Sequence, residues 1–176
     1  MDQSTASNLI SVYRDGLLND TLPFWLKHGP DQEFGGIITS LDRDGSVVDT
    51  DKGVWQQGRY CWLLGECYNN VERRDEWLEA LKQGISFLDQ HCFDAEDGRM
   101  WFQLARDGTP IRKRRYSYGE SFAAIAYGEL PRRRDSRFML TKRRGVSRNS
   151  LNTMKAGRIH RRNTHRIVNF AASDFR

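Results

Sequence analysis

The feature that most constrains this chain is that it repeats itself at a single offset of 63 residues, with no gaps. His28 matches His91, Asp31 matches Asp94, and Glu33 matches Glu96. Gly35 matches Gly98, Leu41 matches Leu104, and Arg43-Asp44-Gly45 matches Arg106-Asp107-Gly108. Further on, Gly65-Glu66 matches Gly128-Glu129. A fixed period of this length marks a supersecondary unit that buries its apolar side only by stacking on copies of itself. Such units form an open solenoid or close into an α/α toroid, and two of them cannot close a ring.

Each unit reads as helix, hairpin, helix. Leu9, Ile10, Tyr13, Leu17, Phe24 and Trp25 recur at helical spacing, which predicts an amphipathic first helix. Ser4, Thr5 or Ser7 is expected to cap it, Gly29-Pro30 to end it, and Pro23 to kink or split it. Ile37, Ile38, Val47 and Val48 flank Asp44-Gly45, a dipeptide suited to a tight hairpin turn. A second helix is expected over about Lys52 to Tyr68, with Trp55, Trp62, Leu63 and Cys67 as its apolar stripe. Gly53, Gly58 and Gly65 weaken that helix intrinsically and point to close approach of a backbone or a ligand. A third helix over about Asp75 to His91 carries Trp77, Leu78, Leu81, Ile85 and Leu88 on one side. A second hairpin follows, with Asp97-Gly98 at its entry, a strand over Met100 to Leu104 and its turn at Asp107-Gly108. A fourth helix covers roughly Ser117 to Leu130.

Charge divides the chain more sharply than its overall +5 suggests. Residues 1–130 carry 14 basic against 21 acidic side chains, a net of −7, whereas residues 131–176 carry 14 against 2, a net of +12. The acidic body therefore lacks the electrostatic footprint of a nucleic-acid binder. In the basic segment, Pro131-Arg-Arg-Arg134 and Lys142-Arg-Arg144 cluster without a persistent helical or strand period. One reading is a nucleic-acid or nuclear-targeting arm. The composition favours the other, an out-of-frame translation of an arginine-rich kind. Under either, the tail is expected to be disordered.

No apolar run is long enough for a membrane span, and the N-terminus lacks the basic and apolar regions of a secretory signal. Cys61, Cys67 and Cys92 are odd in number and fit no zinc or redox spacing, so they read as reduced thiols packed as small hydrophobes. These features predict a cytoplasmic protein with no metal and no cofactor.

The motif Phe24-Trp-Leu-Lys-His-Gly-Pro-Asp31, followed by Glu33-Phe-Gly-Gly36, resembles the opening of N-acylglucosamine 2-epimerases. The resemblance continues through Leu41-Asp-Arg-Asp-Gly45. It is strongest at Lys52-Gly-Val-Trp-Gln-Gln-Gly-Arg59 with Trp62, and it extends to Ser117-Tyr-Gly-Glu-Ser-Phe122, so it covers residues 1–130. It implies an all-α fold, here a partial (α/α)6 barrel of about two helix–hairpin–helix repeats with short β-hairpins, followed by the basic tail. It also implies a sugar isomerase that epimerises C2 of N-acylglucosamine and N-acylmannosamine through an enediolate, with a small sugar as its partner and a homodimer as its assembly. Two histidines transfer the protons in that family, and both belong to later repeats, so the chain is expected to be truncated and inactive alone.

Arg59 is the residue the resemblance carries over, as the group on the sugar oxygen, with Trp55 and Tyr118 as aromatic substrate contacts. An arginine paired with a helix-end carboxylate, and aromatics buried in a core, are the bland alternatives. Trp101 is a further candidate for the pocket. Glu120 and Ser121 are explained by capping and first-turn charge. His28 and His91 hold equivalent positions at helix C-termini, where imidazole complements the helix dipole, and are read as structural. His160 and His165 fall in the basic tail. The alternative to an enzyme is a two-repeat binding module with a nucleic-acid-binding tail. A third reading is a chain that never folds stably, because Trp55, Trp62 and Trp77 would lack the repeats they pack against.

Overall fold

The computed structural model describes residues 2–113 and 117–130. The basic segment 131–176, with His160 and His165, lies outside the described residues, as does what was expected of it.

Helix α1 (Gln3–Asp15) is capped by Asp2, whose carboxylate accepts the Thr5 N–H at 2.7 Å, and not by Ser4, Thr5 or Ser7. The chain continues through a π-helical turn, Gly16–Thr21, into α2 (Leu22–His28). Pro23 explains this break. It has no N–H to give to the turn before it, and the helix widens instead, with the Leu22 N–H reaching back five residues to the Leu17 carbonyl. The apolar face expected for the first helix is not buried in its first half. No residue of α1 is buried, and Ile10 and Tyr13 are 66% and 74% exposed. Leu18 and Leu22 carry the packing of this segment into the core.

Strands β1 (Ser40–Leu41) and β2 (Val47–Asp49) form the first hairpin, antiparallel, with Leu41 opposite Val47. A short β3 (Lys52–Gly53) leads into α3 (Val54–Asn70), so Lys52 belongs to a strand and not to the helix. Helix α4 (Asp75–His91) has the bounds its pattern predicts. Strands β4 (Gln103–Leu104) and β5 (Pro110–Arg112) form the second hairpin. Helix α5 (Tyr118–Glu129) closes the described chain. The strands are shorter than predicted. One pairing was not anticipated: β3 joins β4, with Lys52 opposite Leu104, and so ties the first repeat to the second.

Helices α3 and α5 run parallel. Gly58 of α3 faces Phe122 and Ala123, and Gly65, two turns on, faces Glu129. Helix α4 returns antiparallel to α3, since Gly65 lies against Leu81 and Gly84 against Cys61. The result is an inner layer of α3 and α5 with α4 outside it. The core between them holds Leu64, Trp77, Leu81, Leu88, Leu104 and Ala126, all fully buried. Trp77 thus finds its partners within these residues. The three cysteines are free and buried, and burial pushes the Cys61 thiol up to about 12.

The repeat is visible in three dimensions. The His28 ring lies 5.1 Å from Phe24, and the His91 ring lies 4.8 Å from Phe87. Each imidazole fills the place of a missing side chain in a hairpin turn. Gly45 (φ 87°) and Gly108 (φ 90°) hold backbone conformations that suit only glycine, and any Cβ there would overlap the His28 or His91 ring. The two histidines are therefore held between a helix end and its hairpin.

One buried ionic node joins the repeats. The Lys52 ammonium, fully buried, donates to Asp31 Oδ2 at 2.9 Å, to the Gly35 carbonyl at 2.7 Å and to the Arg106 carbonyl at 2.5 Å. Arg106 adds two hydrogen bonds to the same carboxylate, at 3.1 and 3.2 Å. Burial alone would raise the Asp31 carboxyl, but hydrogen bonds from Arg106 and Lys52 outweigh it and hold it at about 2. A depressed carboxyl contributes stability above its unfolded value of 3.8, and that contribution is lost as pH falls through about 2. Lys52→Ala leaves that carboxylate buried beside Arg106 alone. It is expected to cost about 3–5 kcal/mol and to move the acid limb of the stability curve to higher pH, as read from thermal unfolding between neutral pH and strong acid.

Candidate functional site

The inner helices expose one side away from the core. On α3 the buried positions Val54, Gln57, Gly58, Cys61, Leu64 and Gly65 form one side. Trp55, Arg59, Trp62 and Glu66, spaced by four, three and four residues, form the opposite one. The stripe expected to be core is therefore divided. Cys67 is buried, while Trp55, Trp62 and Leu63 stay half-exposed. On α5 the corresponding row is Tyr118, Phe122, Ile125 and Glu129, each 63 residues after its counterpart on α3. Two parallel helices thus present the same four positions side by side.

Contact between the rows is made at the hairpin end. The Trp55 and Phe122 rings lie 5.8 Å apart, tilted by 41°. Gly58 makes this possible, because a Cβ there would stand 3.0 Å from the Ala123 nitrogen and the Phe122 backbone. Of the glycines read as close-approach points, Gly58 and Gly65 are such points against α5, whereas a Cβ at Gly53 would meet only the Gln56 side chain of its own segment. Arg59 is exposed, and among the described residues its guanidinium has no ion pair or hydrogen bond. The bland reading, an arginine tied to a helix-end carboxylate, is not what the geometry contains. Tyr118 is 60% exposed on the same wall, one row from Trp55. Trp55, Arg59 and Tyr118 therefore share one surface. Trp101 does not join them as a bare aromatic face: the Lys113 ammonium stands 5.0 Å over its ring.

Several members of this wall were not singled out from the sequence. Phe122 is an ordinary apolar residue in the pattern, and Glu66 matched Glu129 only as part of the repeat. Their positions follow from the spacing once Arg59 is placed. Glu120 does lie in the first turn of α5, but that reading missed its burial: it is 1% exposed, with Oε1 accepting the Met100 N–H at 3.1 Å. Burial pushes its carboxyl up, partly offset by backbone N–H groups.

A separate cleft of about 310 Å³ lies between α2 and the start of α4, lined by Leu18, Leu26, Lys27, Arg74 and Trp77 among others. None of its lining residues is on the wall. Among the described residues, no helix is long and apolar enough to cross a membrane, and no cluster of His, Cys, Asp and Glu has the makings of a metal site.

A mostly helical array with short hairpins is the fold this chain shares with sugar epimerases of known structure. A cellobiose 2-epimerase from Spirochaeta thermophila superposes with a TM-score of 0.72 at 25% identity, over 83% of this chain and 36% of that one. A sugar epimerase from a ruminal bacterium gives 0.71 at 26% identity, over 80% and 36%. The chain belongs to the N-acylglucosamine 2-epimerase (GlcNAc 2-epimerase) family, whose model matches residues 36–165 and so runs past Leu130 into the basic segment. It is 40% identical over 116 residues to the N-acylglucosamine 2-epimerase of Mus musculus and 42% to that of Bos taurus. Each match covers 64% of this chain, and the chain spans only 28% of the length of those relatives.

Neighbouring positions on α3 are expected to respond in opposite ways. Gly58→Val forces the two inner helices apart and should destabilise by about 1–3 kcal/mol. Arg59→Ala, one residue on, should stay within about 0.5 kcal/mol of the parent. Denaturant unfolding of both variants checks the contrast.

Proposed function

We propose that this chain supplies one wall of the sugar site of an enzyme that interconverts N-acylglucosamine and N-acylmannosamine, and that its helices are two of the inner members of a six-pair ring. What supports the reading is that Trp55 and Arg59 stand one turn apart on α3 with Tyr118 one turn before Phe122, the ring Trp55 meets, and that among the described residues the Arg59 guanidinium has no ion pair.

Epimerisation at C2 removes a proton from the carbon beside the open-chain carbonyl, passes the electron pair to that carbonyl oxygen, and returns a proton to the opposite face. The oxygen gains negative charge between the two steps. A fixed donor fork lowers the energy of that anion more than that of the neutral carbonyl, which is the condition for catalysis. Arg59 fills this role, because guanidinium stays charged and offers several N–H donors. Trp55 and Tyr118 give the sugar flat apolar surfaces and one hydroxyl, which orient it without competing for the charge.

The two proton-transfer groups lie outside the described residues. His28 and His91 are locked between helix ends and hairpin glycines, and no histidine of the described residues stands on the wall. By this reading the 176-residue chain alone does not convert N-acetylmannosamine. A chimera tests the assignment: residues 15–130 replace the matching stretch of the mouse relative. Such a chimera should retain epimerase activity, and Arg59→Ala within it should lower kcat by roughly 10²–10³-fold. Conversion by the isolated chain, or a folded chimera indifferent to Arg59→Ala, would sink the proposal.

A further inference from the structure

Glu120 occupies the place in the second repeat that Gln57 occupies in the first, 63 residues earlier. Gln57 is 1% exposed and grips the hairpin through both amide groups. Its Oε1 accepts the Ile37 N–H at 2.8 Å, and its Nε2 donates to the Ile37 carbonyl at 2.8 Å. Ile37 plus the repeat offset is Met100, and both residues form the same isolated bridge, Pro30 with Ile37 and Phe93 with Met100. Glu120 Oε1 accepts the Met100 N–H at 3.1 Å, as Gln57 does for Ile37.

The second arm of the grip is where the two side chains differ. The amide nitrogen of Gln57 is a donor aimed at a carbonyl. An ionised glutamate offers only acceptors, and a carboxylate oxygen facing a buried carbonyl is repelled. A protonated carboxyl restores the pattern of the amide, with one oxygen accepting and one O–H donating. The charged groups that act on this site stand on the turn before β4, where Arg99 and Asp97 act in opposite senses. From α3 the neighbours of this turn of α5 are Val54 and Gly58, which do not titrate. From α4, Asp89 meets α5 through the Tyr127 hydroxyl, two turns further along. Among the described residues the Glu120 carboxyl takes the N–H groups of Met100 and of Glu120 itself, which favour the ionised form, and no cation is hydrogen-bonded to it.

We propose that Glu120 is held as the neutral acid, donating to the Met100 carbonyl as a stand-in for glutamine, so that the second hairpin is latched to α5 by a proton. The latch sits behind the wall that carries Tyr118 and Phe122, and it rests on the repeat geometry alone, independent of the reaction assigned to that wall. Burial favours the same protonation state. The sign follows from linkage. A raised carboxyl contributes stability below its unfolded value of 4.5, and that contribution is lost as pH rises through the folded value.

Two measurements on the whole chain test this. Infrared spectra of the wild type at about pH 6, where an exposed glutamate is ionised, should show a protonated-carboxyl band that is missing from Glu120→Gln. Unfolding midpoints of the two proteins should coincide near pH 4.5. The Glu120→Gln midpoint should then exceed the wild type by a margin that grows with pH until the folded-state carboxyl ionises, while Glu120→Ala stays below Glu120→Gln throughout. A wild-type spectrum lacking that band at about pH 6 overturns the proposal, as does a Glu120→Gln midpoint below the wild type at neutral pH.

Discussion

The buried contact of Lys52 with Asp31 and Arg106 is the interaction on which the rest depends. An ammonium and a carboxylate removed from water are each costly, and their attraction offsets the cost only when the remaining hydrogen-bonding capacity is met. Here it is met from three directions. Lys52 reaches two backbone carbonyls besides Asp31, and the Asp31 carboxylate also takes N–H groups from Glu33 and Phe34. Arg106 arrives from the second repeat, so the node closes only when the two hairpins stand in register. Register of the hairpins fixes register of the helices that follow them. The alignment of Trp55 beside Phe122, and with it the wall, follows from a salt bridge on the far side of β3.

Much of this was legible in the sequence. Helix α4 matches its expected span of about Asp75 to His91 because its apolar spacing is unbroken and His91 stands at its C-terminal end. The hairpin turns were marked by Asp-Gly, and the histidines by their equal spacing. The exposed face of α1 was not legible, since periodicity reports an apolar side without saying what covers it. Trp55 and Trp62 show the same limit: spacing placed both on one apolar stripe, yet Trp62 packs against the core while Trp55 meets the Phe122 ring.

The ionic node escaped for a different reason. Lys52, Asp31 and Arg106 are separated by 21 and 75 residues, and a charged residue in a sequence carries no mark of burial. Glu120 was missed because its equivalence to Gln57 is chemical and not literal. The matches that revealed the repeat were identical letters, and this pair shares shape and hydrogen-bonding pattern only when the acid carries its proton. The tie of β3 to β4 crosses from one repeat to the next, a relation no single-repeat pattern encodes.

The parallel packing of α3 and α5 through Gly58 separates two kinds of position on the same helix. Residues toward α4 are buried among many neighbours, while those at the 55, 59, 62 and 66 rows keep part of their surface open to solvent. Trp55 has become Tyr118 and Arg59 has become Phe122 across the duplication, although the supporting Asp, Gly and His letters were kept. The array therefore behaves as a rack with interchangeable fittings. A duplicated unit can exchange the residues of this exposed row one at a time while its frame stays unaltered, so that an arginine at one station stands where a phenylalanine stands at the next.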